Sequence, residues 1–249
     1  MTLISVERMK LFSTRSPWWC IATALVLTIG FAAMFASQMQ EMVPMSVGMT
    51  QQGAQFGLIV VMVMATLAVT TEYRFGTIRA TFQAMPNRVA VMLAKTSVVA
   101  VLAFLIGELA AFGSWAAGWL LTSDQALVLD TATEWRQVAG VGLVFAGAAI
   151  FALSVGALVR QTAGAVTLVM IWVLLAESLI QLLPTIGDDI YEWLPFAAAF
   201  RFMRGGGGST VGQPVSEMPI GPWASLVYFL AIAVVLLVVA LVTVRKRDA

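Results

Sequence analysis

Long apolar runs separated by short polar stretches set the rhythm of this chain. Six runs stand out: Trp18–Ser37, Gln55–Thr71, one from near Val91 to Leu121, Val138–Val159, Thr162–Leu183 and Trp223–Val244. A helix crosses the hydrocarbon core with about 17–25 mostly apolar residues. Each run meets that length, the third exceeds it, and the last contains no charge at all. The expectation is an all-α membrane protein with six transmembrane helices. Residues 1–249 form one transmembrane domain, with no soluble domain and no internal repeat. A charged segment of about fifteen residues precedes the first run, which is longer than the 7–15 residues of a signal-peptide core. It therefore reads as a retained span.

Charge orients the runs. With six spans both termini share one side. That side holds Arg8, Lys10, Arg15, Arg74, Arg79, Arg88, Lys95, Arg160, Arg245, Lys246 and Arg247, eleven of the fourteen basic residues. The other side holds Arg136, Arg201 and Arg204. It also collects the acids Glu41, Asp124, Asp130, Glu134, Asp188, Asp189, Glu192 and Glu217. Basic loops stay cytoplasmic, so residues 1–17 form a cytoplasmic N-terminal segment of a multi-pass protein of the inner or plasma membrane.

Composition agrees and narrows the chemistry. The chain is 60% hydrophobic and 11% charged, with a mean hydropathy of +0.92, against about 25% charged residues in an average soluble domain. The absence of histidine removes histidine-based triads and most metal sites. The single cysteine, Cys20, sits among Trp18, Trp19 and Ile21. It excludes an internal disulfide and reads as a small apolar residue.

Two connections differ in kind. "RQ" (Arg160–Gln161) is a tight turn. Residues 184–222 are long and contain an apolar patch, Trp193–Phe202, too short to cross and better suited to a re-entrant or interfacial segment. "GGGGST" (Gly205–Thr210) follows as a flexible stretch. It lacks the lysine of a phosphate-binding loop.

The segment "TTEYRFGTIRATFQAMPNR", residues 70–88, interrupts the apolar pattern. On a helix over 75–85, Phe75, Ile78, Phe82 and Met85 share one face and Arg79 and Gln83 flank it. Pro86 ends the helix. Periodicity predicts an amphipathic helix here, and fits a lipid surface or a protein groove equally well.

Glu72–Arg88 resembles the segment between the second and third spans of ABC transporter type-2 permeases. The match consists of Glu72, Gly76-Thr77, Ile78, Phe82 and Pro86-Asn87-Arg88. Six spans, a long outer loop before the last one and a basic tail extend the resemblance over the whole chain. It implies that residues 72–88 form a coupling helix docking in a groove of a cytoplasmic ATP-binding subunit. Phe75, Ile78, Phe82 and Met85 would fill that groove, with Glu72, Arg74, Gly76, Thr77 and Arg79 around it. It further implies an interfacial helix before the first span. Here Leu3, Ile4, Val6, Met9, Leu11 and Phe12 spread around the wheel instead of forming one stripe. The patch Glu192–Met203 corresponds to the family's re-entrant segment, within residues 184–222; an interfacial anchor through Trp193, Phe196 and Phe202 is the alternative.

Two acids lie inside the apolar runs. Glu108 lies thirteen residues, about 20 Å along a helix, from both Lys95 and Leu121. An intramembrane charge is expensive and faces the protein interior or a path. Its neighbours Gly107, Ala111, Gly113 and Ser114 permit close helix approach. Either a site in the translocation path or a helix–helix hydrogen bond fits. Glu177 is nearer the outer end of its run and reads as a snorkelling or packing acid, or as a second member of such a path.

The implied function is the membrane-spanning subunit of an ABC exporter that moves a hydrophobic or amphipathic substrate, such as a drug, an antibiotic or a lipid-like molecule. It carries no ATPase site and binds no cofactor itself. ATP and Mg²⁺ belong to two copies of the ATP-binding partner, and a second permease copy or a paralogue completes the complex. No nucleic acid is involved. A proton- or sodium-coupled transporter using Glu108 is the alternative. An intramembrane enzyme is disfavoured by the missing histidine and by the lack of paired acids at matching depth.

Overall fold

The computed structural model describes residues 2–39, 45–122, 127–183, 186–204 and 220–246. Gly205–Thr210, Glu41, Asp124, Glu217 and Arg247 lie outside the described residues. In chain order the helices are α1 (Leu3–Phe12), α2 (Ser16–Met39), α3 (Val47–Thr50), α4 (Ala54–Arg74), α5 (Thr77–Ala84), α6 (Arg88–Thr122), α7 (Ala132–Ala139), α8 (Val141–Val159), α9 (Thr162–Ile171), α10 (Glu177–Gln181), α11 (Gly187–Tyr191), α12 (Pro195–Arg204) and α13 (Pro222–Lys246). There is no strand among the described residues.

Five helices are long and apolar enough to cross a membrane: α2, α4, α6, the α7–α8 pair and α13. They mark a multi-pass membrane protein. The run expected as a span at 162–183 is built differently. It is α9, a π-turn over Trp172–Ala176, then α10. The backbone stays helical through Ile171 and Glu177, so residues 162–181 form one run with a π-turn inside it.

The α7–α8 segment is the centre of the bundle: 78% of its most apolar window is buried, against 22% for α2 and 28% for α13. Small residues allow this. Gly107 of α6 faces Gly142 and Phe145 of α8 so closely that a Cβ there would stand 2.9 Å from the Gly142 Cα. Phe145, Phe196, Phe202 and Phe229 are fully buried around this axis. Without lipid-to-protein hydrophobic gain, such close backbone packing is what holds helices together in a bilayer.

The helices alternate in direction, giving the bundle two distinct ends. At one, α1 lies across the start of α6 and the end of α4, and the Arg160 guanidinium sits over the Tyr73 ring. At the other, α12 packs against α7 and against the start of α13, where the Phe202 and Trp223 rings meet at 5.2 Å.

Candidate functional site

The connection from α4 to α5 turns on Gly76, whose φ of +70° is left-handed and favours a residue without a Cβ. This turn breaks the phase of the expected 75–85 helix, which begins only at Thr77 and ends at Ala84 before Met85 and Pro86. The four-residue stripe is thereby divided. Ile78 and Phe82 are 3% and 8% exposed and belong to the chain's own core. Phe75 is 71% exposed and Met85 38%. Arg74, Gly76, Thr77, Arg79, Ala80, Gln83 and Ala84 share the open face with them. The Arg88 guanidinium covers the Phe82 ring at 5.4 Å. Thus α5 is seated from beneath by two apolar side chains and presents a mixed basic and apolar surface outward.

Behind α5 is a buried ion cluster with no counterpart in the sequence reading. Lys95 of α6 donates to Glu7 of α1 and, at 2.9 Å, to Glu72 of α4. Lys10 of α1 donates to Glu7 at 2.8 Å, lies 3.4 Å from Glu72, and donates to the Thr81 hydroxyl of α5 at 3.0 Å. The Glu7, Lys95 and Glu72 side chains are only 2%, 5% and 12% exposed. Two acids and two lysines thus tie α1, α4, α5 and α6 into one neutral junction. Burial by itself would push the Glu7 carboxyl up, but Lys95 and Lys10 outweigh it and hold it below its ordinary value. Burial would lower Lys10, and Glu7 and Glu72 reverse this, raising it. The buried face of α1 is therefore centred on Glu7 rather than on an apolar stripe. A wheel of apolar positions could not reveal that. The available signal was Lys95, a lysine set inside an apolar run with no acid of its own helix nearby.

At the opposite end, α12 is held by charge at both of its termini. Pro195 opens it, which suits a first helical position because its missing N–H has no acceptor there anyway. The next two amides, Phe196 and Ala197, donate to the two oxygens of Glu177 at 3.0 and 2.8 Å. A carboxylate at a helix N-terminus meets both free N–H groups and the positive end of the helix dipole. At the other terminus Arg136 of α7 donates to the Phe202 carbonyl and lies over the Phe202 ring. Arg201 folds back to the Glu192 carbonyl at 2.9 Å, and the Tyr228 hydroxyl donates to the Trp193 carbonyl at 2.8 Å. Phe196 and Phe202 are fully buried, so of the aromatic trio considered as an interfacial anchor only Trp193, 48% exposed, faces outward. Glu177 is 4% exposed and does not snorkel.

Glu108 is elsewhere. Its carboxylate lies against the Gly142 backbone, where a Cβ would stand 2.3 Å from Oε1. Glu108 and Glu177 therefore meet different neighbours, Gly142 and the start of α12. No group of three or more Asp, Glu, Cys or His side chains suited to a metal occurs among the described residues. Of the small neighbours of Glu108, Gly107 makes the α6–α8 contact, and the Ala111 carbonyl accepts from the Gln51 amide at 3.1 Å.

No family model matches the chain, and no curated protein matches it in sequence.

Proposed function

We propose that the chain is the permease subunit of an ATP-driven ABC exporter of the type-2 class. It would move a hydrophobic or amphipathic molecule outward and be powered by two copies of a separate ATP-binding subunit. The observation that carries this reading is α5, a short helix braced beneath by Ile78 and Phe82 and joined through Thr81 to the buried ion cluster. A surface so braced can pass on a push from a docked protein, whereas a helix floating on lipid has no need of the connection. Residues 162–181 serve as the sixth crossing, the α1 and α5 end faces the cytoplasm by its basic residues, and α12 is the re-entrant segment closing the outer end. Docking falls to Arg74, Phe75, Gly76, Thr77, Arg79 and Met85, the exposed members of the motif. Ile78 and Phe82 act from below, and Glu72 acts through the cluster.

Co-purification with the ATP-binding subunit tests this. Phe75→Asp leaves the permease monodisperse and lowers the recovered partner at least tenfold. Ile78→Asp instead lowers the yield of folded permease. Undiminished recovery of the partner with Phe75→Asp would remove the docking assignment. The position of Glu108, a carboxylate set against Gly142 inside a membrane-crossing helix, favours one second reading, a proton- or sodium-coupled transporter. Ion-driven uptake in liposomes without any ATPase, abolished by Glu108→Gln, would establish it.

A further inference from the structure

The turn from α8 to α9 passes through Arg160, whose φ of 59° is left-handed. Its amide donates to the Gly156 carbonyl at 2.9 Å and closes α8. Glycine is the usual residue at such a helix end, because a Cβ is crowded there. Among the described residues Arg160 is the one non-glycine residue with a positive φ. The chain therefore accepts local strain to keep an arginine side chain at this point. Strain of this kind gathers at functional sites.

Three arginines of this end lie over aromatic rings. The Arg160 guanidinium covers Tyr73 at 5.2 Å, Arg74 covers Phe75 at 5.5 Å, and Arg88 covers Phe82. Stacking on a ring restrains a guanidinium and leaves its N–H edge for a carboxylate. Among the described residues the acids at this end are Glu7 and Glu72, and both are engaged by Lys10 and Lys95 inside the ion cluster. Arg74, Arg79 and Arg160 form no ion pair among the described residues. Position separates a protein partner from lipid. Arg160 ends α8, in the most buried of the five crossings, 78% of whose apolar window is inside the bundle. Its guanidinium thus stands towards the middle of this end, on a ring of the neighbouring α4. Lipid head groups ring a bundle, whereas a protein seated on its end covers the centre.

We propose that Arg160, with Arg74 and Arg79, forms a basic docking face for carboxylates of the ATP-binding subunit, so that the partner's complementary surface is acidic. Arg160 is then a docking residue outside the α4–α5 segment, and the strain at its backbone is the cost of presenting it. This rests on the exporter reading and adds the chemistry of the partner's surface.

The test co-purifies the full permease with its ATP-binding subunit while position 160 is varied. Arg160→Gly and Arg160→Asn suit the left-handed backbone and remove the charge. Loss of a charge-assisted hydrogen bond should lower recovery of the subunit about tenfold, while the thermal midpoint of the permease alone stays at or above the wild-type value. Raising NaCl from about 50 to 500 mM should also lower recovery, and less steeply in Arg160→Asn. Arg160→Lys gives a direct readout. A water-soluble carbodiimide condenses its amine with a nearby carboxylate, forming an amide and taking up the water released. Mass spectrometry should place that link on an aspartate or glutamate of the subunit. Unchanged recovery in both neutral variants, or no link from Arg160→Lys to any acid of the subunit, overturns this proposal alone. A midpoint that falls in step with recovery makes Arg160 a fold element and also overturns it. Variants that keep the subunit but lose co-purifying anionic lipid assign the arginine to head groups, with the same consequence. Absence of an ATP-binding subunit from the wild-type preparation overturns this proposal together with the exporter reading.

Discussion

Replacing Lys95 with methionine removes the ammonium shared by Glu7 and Glu72 while keeping the length and the apolar stem of the side chain. The two carboxylates it leaves are 2% and 12% exposed. Breaking a buried pair by deleting one partner costs about 3–5 kcal/mol. Lys10 is one-third exposed and already bonded to Glu7, so it compensates in part and favours the lower figure of about 3 kcal/mol. That energy falls on the docking of α1, whose ten residues are too few to stay helical alone. At about 1.4 kcal/mol per tenfold, amide exchange across α1 should accelerate roughly 150-fold. Hydrogen–deuterium exchange of the N-terminal peptides in nanodiscs measures this directly. The double variant Glu7→Gln/Lys95→Met removes both members of the tightest pair, and its protection should return to within about fivefold of wild type, since paired removal of buried charges is often nearly neutral. Wild-type protection in Lys95→Met, or a double variant worse than the single one, would refute the argument that the cluster holds α1.

Glu177→Gln keeps one acceptor for α12 and loses the other together with the charge. Hydrogen bonds to charged groups are worth about 1.5–3 kcal/mol, so exchange at Phe196 and Ala197 should rise about 30-fold, read by the same method. Gly107→Ala brings a methyl group against the α8 backbone, which cannot swing aside; overpacking of about 1–3 kcal/mol should lower the thermal midpoint in detergent. Anchoring of α1 should also depend on pH. Glu7 is held below the ordinary 4.5, so its contribution is complete above that value and disappears as pH falls through the lower, folded value. Lys10 is raised above 10.5, so its contribution is complete below 10.5 and fades as pH climbs through its folded value. Proteolysis at Ser13–Arg15 should therefore be slow across the interval between them and accelerate at both extremes.

Five of the six expected spans were legible because lipid imposes length and apolarity on every crossing, and these survive any packing. The residues of α5 were legible only in part. Periodicity correctly grouped Ile78 with Phe82, but Phe75 precedes the left-handed Gly76 and so escapes the helical phase that the stripe assumed. Nor does a stripe say whether it faces a partner or its own protein. The role of Glu177 was out of reach for another reason. Its depth was readable, but its acceptance of two amides nineteen and twenty residues later depends on how the chain returns. Pro195 was the usable clue, since a proline ahead of Phe-Ala-Ala marks a helix start whose free amides need an acceptor. Glu7 and Lys95 were invisible as a pair because they are 88 residues apart.

The π-turn at Trp172–Ala176 sets the bearing of everything that follows it. A π-turn holds one more residue per turn than an α-turn, so it sets the helix phase back by about 100° relative to an unbroken α-helix. Glu177 is the first residue beyond it. Straightening this stretch into a regular α-helix with all its residues kept would turn the carboxylate about 100° away from α12, whereas removing one residue would restore a regular helix and keep the bearing of Glu177. The contact between the two segments is therefore encoded as a count of residues as much as by their identities, and a one-residue deletion should be better tolerated here than in the regular helices of the bundle.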